Sequence, residues 1–191
     1  MTMIKLKFWK YLFLYSAYLL AVLIIADVNA GEINCKKHTI YCQIKKNRSE
    51  LDDRYAMKLS NVIWKMGKRY KIPTNIYTAI LMQESLYRLQ TNGCHDGLIV
   101  TETEEGHVEY EETRICSDFG ISQIYYKTAK GFKLDIERLT SDLEYSVEAG
   151  AMVLHDFMKR YSKREKDWWT RYNASSKDKR RIYKVLVERF L

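Results

Sequence analysis

Glu84 has the surroundings that best suit acid–base chemistry in this 191-residue chain. It follows Tyr77, Ile80 and Leu81 at helical spacings of three and four, so its carboxyl group is expected to continue the apolar face of a helix. Burial disfavours the charged form of a carboxyl group and raises its pKa. A glutamate with a raised pKa can act as a general acid near neutral pH.

Four short motifs follow one another along the chain. They are Glu84-Ser85, GISQI at 120–124, AGA at 149–151 and YNA at 172–174. In this order they resemble the motifs of the soluble lytic transglycosylases, whose lysozyme-like fold is related to that of goose-type lysozymes. No single motif is specific, but the shared order is a strong signal. The resemblance covers roughly residues 55–190.

The resemblance implies cleavage of the β-1,4 linkage between MurNAc and GlcNAc in peptidoglycan. Glu84 would protonate the leaving oxygen and then act as a base, while the 6-hydroxyl of the sugar closes a 1,6-anhydro ring. Most glycosidases use a second carboxylate, which this family does without. The resemblance also implies substrate-binding residues, namely Ser85, Gly120, Ile121, Gln123, Tyr172 and Asn173. Tyr172 is expected close to the glutamate, and Gly120 is expected to let the backbone approach the sugar. No cofactor or metal ion is implied.

The chain departs from the family pattern at three places. Ile121-Ser122 stands where the family has Leu-Met, and Ser175 stands where it has glycine. The connection from Glu84 to Gly120 is also longer than in the family and is rich in glutamate. We expect residues 90–118 to form a solvated hairpin or loop that borders the cleft and affects substrate choice or a partner.

Asp118, two residues before Gly120, is expected to brace the loop that follows it. The alternative is that Asp118 reaches the cleft and holds a water molecule, which would make the protein a lysozyme-type hydrolase. A non-catalytic, wall-binding part of a secretion, conjugation or phage machine is a further alternative. An exported single-domain protein suits an envelope-spanning secretion, conjugation or phage assembly, and the sequence does not choose among these.

Apolar periodicity predicts a mainly α-helical, lysozyme-like single domain over residues 50–191, interrupted only by a small irregular or hairpin insert. Helices are expected at about 51–70, 75–89 and 177–190. A longer helix is expected to begin at a Ser141/Glu144 capping box. The single proline and the eight glycines argue against a turn-rich β fold. Residues 31–49 are expected to form an irregular, disulfide-held extension.

The N-terminus has the features of an export signal. Lys5, Lys7 and Lys10 precede an uncharged, mostly apolar run at 11–26, and small residues at 28 and 30 fit cleavage before Gly31. Residues 1–30 are therefore predicted to be a signal peptide. The run is shorter than the roughly 20 residues that span a bilayer, which favours a cleaved signal peptide. A retained membrane anchor through residues 8–26 is the alternative. We expect a periplasmic or cell-envelope protein.

Four cysteines lie beyond the expected cleavage point, namely Cys35, Cys42, Cys94 and Cys116. An even number in an exported chain favours disulfides, and closure of local loops favours Cys35–Cys42 and Cys94–Cys116 among the three possible pairings. The absence of any C-x-x-C spacing argues against zinc. The net charge of +8 suits an anionic partner such as a cell-wall polymer or membrane surface. No motif supports nucleic-acid binding.

Overall fold

The computed structural model describes residues 34–102 and 108–191, with side chains described for 34–94 and 116–191. The segments predicted as a signal peptide (1–30) or anchor (8–26) lie outside the described residues. Within the described part of the chain, no helix has both the length and the apolar character needed to cross a membrane. Thr39–Leu191 forms one compact unit.

This unit is mainly helical, as the sequence predicts, with one small antiparallel sheet. The helices are α1 (Thr39–Asn47), α2 (Asp53–Tyr70), α3 (Thr74–Ser85), α4 (Tyr126–Gly131), α5 (Ile136–Ser141), α6 (Leu143–Tyr161) and α7 (Lys177–Glu188). A 3₁₀ helix (Trp168–Tyr172) connects α6 to α7. The strands are β1 (Asn92–Glu102), β2 (Val108–Phe119) and β3 (Ile124–Tyr125), which lie in the order β1-β2-β3.

Helix α6 is the central core helix and packs against α2, α5 and the 3₁₀ helix. In α3, the Tyr77 hydroxyl donates a 2.5 Å hydrogen bond to the Val147 carbonyl of α6. The expected capping box at Ser141 is wrong, because Ser141 ends α5 and donates its hydroxyl hydrogen to the Glu137 carbonyl. Asp142 caps α6 instead and accepts a hydrogen bond from the Tyr145 backbone nitrogen.

Helix α1 occupies residues that the sequence analysis expects to be irregular. Ile40, Tyr41 and Ile44 lie on one face of α1 and are buried in the core. The Gln43 and Asn47 side-chain amides donate hydrogen bonds of 3.0 Å to the Phe190 carbonyl. The compact unit therefore begins before residue 50. Three buried apolar residues in a basic, nine-residue helix give too short a pattern to detect from the sequence.

The segment between α3 and β3 forms the hairpin that the sequence allows. Asn92 pairs with Phe119 and Cys94 with Cys116 at its base, where the Cys94–Cys116 disulfide closes it. Cys35 and Cys42 are also disulfide-bonded, and none of the four cysteines is free. Helix α3 is shorter than expected, because Leu86 adopts a left-handed conformation with φ of 54° and ends it. Glu84 therefore lies in the last turn of α3.

Candidate active site

The Glu84 carboxyl group lies at a cleft and is held by two side chains from the C-terminal part of the chain. The Tyr183 hydroxyl donates a 2.5 Å hydrogen bond to Oε1, and the Asn173 amide nitrogen lies 3.3 Å from both carboxyl oxygens. Burial raises the pKa of Glu84 to about 7, and the negative charge of Asp118 acts in the same direction. The hydrogen bonds from Tyr183 and Asn173 oppose this rise. The raised pKa expected from the sequence is confirmed.

The cleft beside Glu84 has a volume of about 740 Å³, a size typical of small-molecule sites. Asp118 at the end of β2 and Gln123 before β3 line one side. Phe157 and Tyr161 of α6 line it together with Arg171 of the 3₁₀ helix. The walls thus combine hydrogen-bonding groups with aromatic surface, which is a suitable composition for binding a saccharide.

Tyr172 lines the cleft but does not hydrogen-bond to Glu84. Its hydroxyl donates a 2.8 Å hydrogen bond to the Ser122 carbonyl, which fixes the segment before β3. Burial raises the pKa of Tyr172, and the charges of Tyr77 and Glu84 raise it further. Tyr172 is therefore near the glutamate, as the resemblance implies, but direct contact with the carboxylate comes from Asn173 and Tyr183.

Gln123 also lines the cleft and braces the polypeptide around it. Its amide nitrogen donates hydrogen bonds of 2.8 Å to the carbonyls of Thr91 and Gly120. Gln123 itself has a left-handed backbone with φ of 43°, which is uncommon for a residue other than glycine. These two hydrogen bonds join the start of the hairpin to the turn that leads into β3.

Three residues expected to bind substrate, Ser85, Gly120 and Ile121, are buried and do not line the cleft. Ser85 donates its hydroxyl hydrogen to the Leu81 carbonyl within α3. Gly120 serves core packing, because its φ is +72° and a Cβ there would lie 2.0 Å from the Leu139 carbonyl oxygen. The close approach that requires glycine is therefore made to α5.

Asp118 lies at the cleft, which was the alternative to the expected role of bracing the following loop. It pairs with Tyr125 across β2 and β3, and its carboxylate accepts a 2.6 Å hydrogen bond from the Ser117 hydroxyl. It is close enough to Glu84 for its charge to raise the pKa of that group. The cleft therefore contains two carboxyl groups.

Tyr183 is the site residue that sequence reasoning misses. It lies in α7, where Tyr183 and Val187 are four residues apart and form the buried face of a basic helix. That spacing predicts ordinary core packing. The available signal is that a buried tyrosine hydroxyl usually needs a hydrogen-bond partner, but the sequence does not show that this partner is Glu84.

The transglycosylase SLT domain family matches residues 61–185, a span that contains Glu84, Asn173 and Tyr183. The chain belongs to this family. Membership supports a lysozyme-like fold and, in general terms, a lytic transglycosylase-type function that cleaves peptidoglycan outside the cytoplasm. The disulfides fit that location. No curated protein and no solved structure matches the chain.

The SLT domain accommodates the two substitutions among the three departures, at Ser122 and Ser175, through hydrogen bonds within the fold. Ser122 is fully buried, and its hydroxyl donates a 3.0 Å hydrogen bond to the Ser146 carbonyl, so the polar group is satisfied within the core. Ser175 lies at the cleft, where its carbonyl accepts a 2.7 Å hydrogen bond from Arg180. That contact fixes the turn before α7, which carries Tyr183.

Proposed function

We propose that this protein is a peptidoglycan lytic transglycosylase that cleaves the MurNAc–GlcNAc β-1,4 linkage and leaves a 1,6-anhydromuramyl end. The observation that carries the proposal is the environment of Glu84: a carboxyl group with a pKa of about 7, at a cleft and held by two donors. Near neutral pH, such a group is present in both its acid and its base form.

In the first step, the protonated Glu84 donates its proton to the glycosidic oxygen as the bond from that oxygen to C1 of MurNAc breaks. The resulting carboxylate is stabilised by the hydroxyl of Tyr183 and the amide of Asn173. Hydrogen bonds to an ionised carboxyl group are stronger than those between neutral groups. These donors therefore help most when Glu84 is charged.

In the second step, the Glu84 carboxylate accepts the proton of the MurNAc 6-hydroxyl as that oxygen bonds to C1. The 1,6-anhydro ring forms, and the proton from the 6-hydroxyl returns Glu84 to its acid form, while the proton donated in the first step leaves on the released sugar hydroxyl. No water is consumed, so the product end is lighter by one water molecule than a hydrolysed end. A single carboxyl group with a pKa near neutrality suffices for both transfers.

Asp118 supports a second candidate, a lysozyme-type hydrolase of the same fold. Its carboxylate lies at the same cleft as Glu84, where it could orient a water molecule for attack at C1. The masses of the products separate the two activities. Anhydro ends in the wild-type digest support the transglycosylase, whereas reducing ends that disappear in Asp118→Asn support the hydrolase.

The proposal includes export to the periplasm or cell envelope, with residues 1–30 as a cleaved signal peptide and residues 8–26 as a retained anchor in the alternative case. Residues 31–49 remain proposed as a disulfide-held segment, which contains helix α1 at Thr39–Asn47. Localised wall opening during assembly of a secretion, conjugation or phage machine fits a domain of this size. A non-catalytic role in such a machine is the remaining alternative.

The test incubates purified, oxidised protein with isolated peptidoglycan and weighs the released products. We expect wild-type protein and Glu137→Gln, a matched change at an exposed helical glutamate, to release anhydro fragments at equal rates. Glu84→Gln should lower the rate at least about 1,000-fold, because it removes the only proposed proton donor. Undiminished cleavage by Glu84→Gln would exclude the proposed mechanism. Absence of cleavage by wild-type protein would favour the binding role.

A further inference from the structure

Tyr125 presents an aromatic ring to solvent at the edge of the cleft. Its exposed fraction is 45%, and it is one of the cleft-lining residues. Tyr126, the next residue, has a similar exposed fraction of 48% but does not line the cleft. The two neighbouring tyrosines therefore differ in position rather than in exposure.

The sheet fixes the position of Tyr125. Ile124 pairs with Phe119 and is buried, whereas Tyr125 pairs with Asp118 and is exposed, as expected for successive residues of a strand. Tyr125 also provides the N-cap position of α4. A short strand paired on one side and a helix start on the other hold this residue beside Asp118.

The other aromatic residues at the cleft are less available to a ligand. Phe157 and Tyr161 stack on each other with ring centroids 6.2 Å apart, and the Arg171 guanidinium lies 4.0 Å from the Tyr161 ring centroid. Tyr172 donates its hydroxyl hydrogen to a backbone carbonyl. Among the cleft-lining aromatic residues that the structure describes, only Tyr125 is exposed, and the other three are half-buried.

We propose that Tyr125 is a stacking platform for a sugar ring of the glycan strand, next to the linkage that Glu84 cleaves. A pyranose ring carries its hydroxyl groups around its rim and C–H groups on its faces, so one face can pack on an aromatic ring while the rim remains hydrated. Tyrosine suits this contact because it combines an apolar ring with a polar end. The inference rests on the proposed function and adds a residue that determines affinity for the substrate.

Binding is measured by calorimetry with chitohexaose, a soluble β-1,4-linked amino-sugar oligomer, in a Glu84→Gln background that prevents turnover. Adding Tyr125→Ala should raise the dissociation constant about tenfold, because the ring contact is lost. Adding Tyr125→Phe should change it by less than about threefold, because the ring remains. Adding Tyr126→Ala, the matched control, should leave it unchanged.

Cleavage of soluble peptidoglycan glycan strands gives an independent measurement without the Glu84 substitution. Tyr125→Ala should raise KM with little change in kcat, because the platform does not touch the reacting atoms. Equal KM and equal dissociation constants for Tyr125→Ala and its parent would overturn the inference and leave the proposed function intact. If wild-type protein neither cleaves wall nor binds the oligomer, both proposals are wrong. Circular dichroism verifies that each variant is folded.

Discussion

The Tyr183 hydroxyl lies 2.5 Å from Glu84 Oε1 and donates a hydrogen bond to it, although the two residues are 99 positions apart in the sequence. The bond joins the last turn of α3 to α7. Burial raises the pKa of Glu84, whereas this bond lowers it. The protonation state of Glu84 therefore depends on the balance between desolvation, which raises its pKa, and hydrogen-bond donors, of which Tyr183 has the larger effect.

Tyr183→Phe should slow wall cleavage about tenfold or more and shift the alkaline limb of the pH–rate profile to higher pH. The substitution removes the donor but keeps the buried ring, and a hydrogen bond to a charged group contributes about 1.5–3 kcal/mol. Without that bond, the pKa of Glu84 rises further. The measurement is kcat/KM between pH 5 and 9.

Asn173→Ala serves as the graded comparison for Tyr183→Phe. Its amide lies farther from the carboxyl oxygens, at 3.3 Å, and the residue is exposed, so we expect a loss of only about two- to fivefold. A larger effect from Asn173→Ala than from Tyr183→Phe would contradict the assignment of Tyr183 as the stronger donor. An unshifted pH profile in Tyr183→Phe would do the same.

The wild-type rate should fall as the pH rises through about 7, because the first step requires protonated Glu84. Activity limited by this proton should be highest on the acidic side of that value, because the base form used in the second step is produced by the first. The measurement is single-turnover cleavage of soluble glycan over the same pH range. A rate that stays constant from pH 6 to 9 is incompatible with Glu84 as the acid.

The same pKa shift has a consequence for folding stability. The folded-state pKa of Glu84 is about 7 and the ordinary value is 4.5, so between these values the folded protein holds a proton that the unfolded chain has released. The contribution of this bound proton to the free energy of unfolding is therefore full below about pH 4.5 and is lost as the pH rises to about 7. The loss is on the order of 3 kcal/mol at most.

Urea unfolding of wild-type protein and Glu84→Gln at several pH values tests this. The difference between their free energies of unfolding should move in favour of Glu84→Gln as the pH rises from 4.5 to 7 and then level off, since glutamine does not titrate. Other titrating groups cancel in the difference. A difference that does not vary with pH would show that Glu84 titrates normally.

Gly120→Ala should destabilise the fold by about 3 kcal/mol or more. A methyl group there would meet the Leu139 carbonyl oxygen at 2.0 Å and the Ser146 hydroxyl at 2.4 Å, on a backbone with positive φ. Gly131→Ala is the matched control, because a Cβ at that position has nothing within 4 Å. It should stabilise by up to about 1 kcal/mol. Similar melting temperatures for the two variants would refute this role of Gly120.

Replacing Cys94 and Cys116 together by serine should lower the melting temperature by about 10 °C and slow cleavage. The disulfide closes a segment of 22 residues, for which restriction of the unfolded chain gives about 3 kcal/mol. Activity should fall because β2 carries Asp118 to the cleft two residues after Cys116. An unchanged melting temperature together with an unchanged rate of wall cleavage would show that the disulfide-closed hairpin contributes to neither stability nor activity.

The raised pKa of Glu84 and the positions of the main helices can be predicted from the sequence for related physical reasons. A carboxyl group in line with Tyr77, Ile80 and Leu81 is expected to lose part of its solvent contact, so helical periodicity predicts the direction of its pKa shift. The spacing of its apolar residues likewise predicts the long core helix α6. Such features depend on neighbours within one helix, which a sequence shows directly.

The features that sequence reasoning misses depend on contacts between distant segments. From the sequence alone, Tyr183 has the pattern of a core-packing residue, and only the contact of α7 with α3 shows that it reaches Glu84. Gly120 has the pattern of a substrate-contacting glycine, and only the fold shows that α5 lies against it. The motif that contains Gly120 and Ile121 locates the cleft correctly, but the burial of each side chain depends on the fold of the turn. Helix α1 can be recognised only from the structure, in which its three buried apolar residues pack against the core.

Asn92 and Phe119 pair at the base of the hairpin, so the chain leaves the helical unit and returns to it at the same place. A segment with coincident ends can lengthen or shorten without changing the separation of the residues on either side, and the entropy of closing a longer loop grows slowly. The hairpin can therefore change in length while α3 and β3 keep their spacing. An insertion at this point of the scaffold leaves the position of Glu84 unchanged.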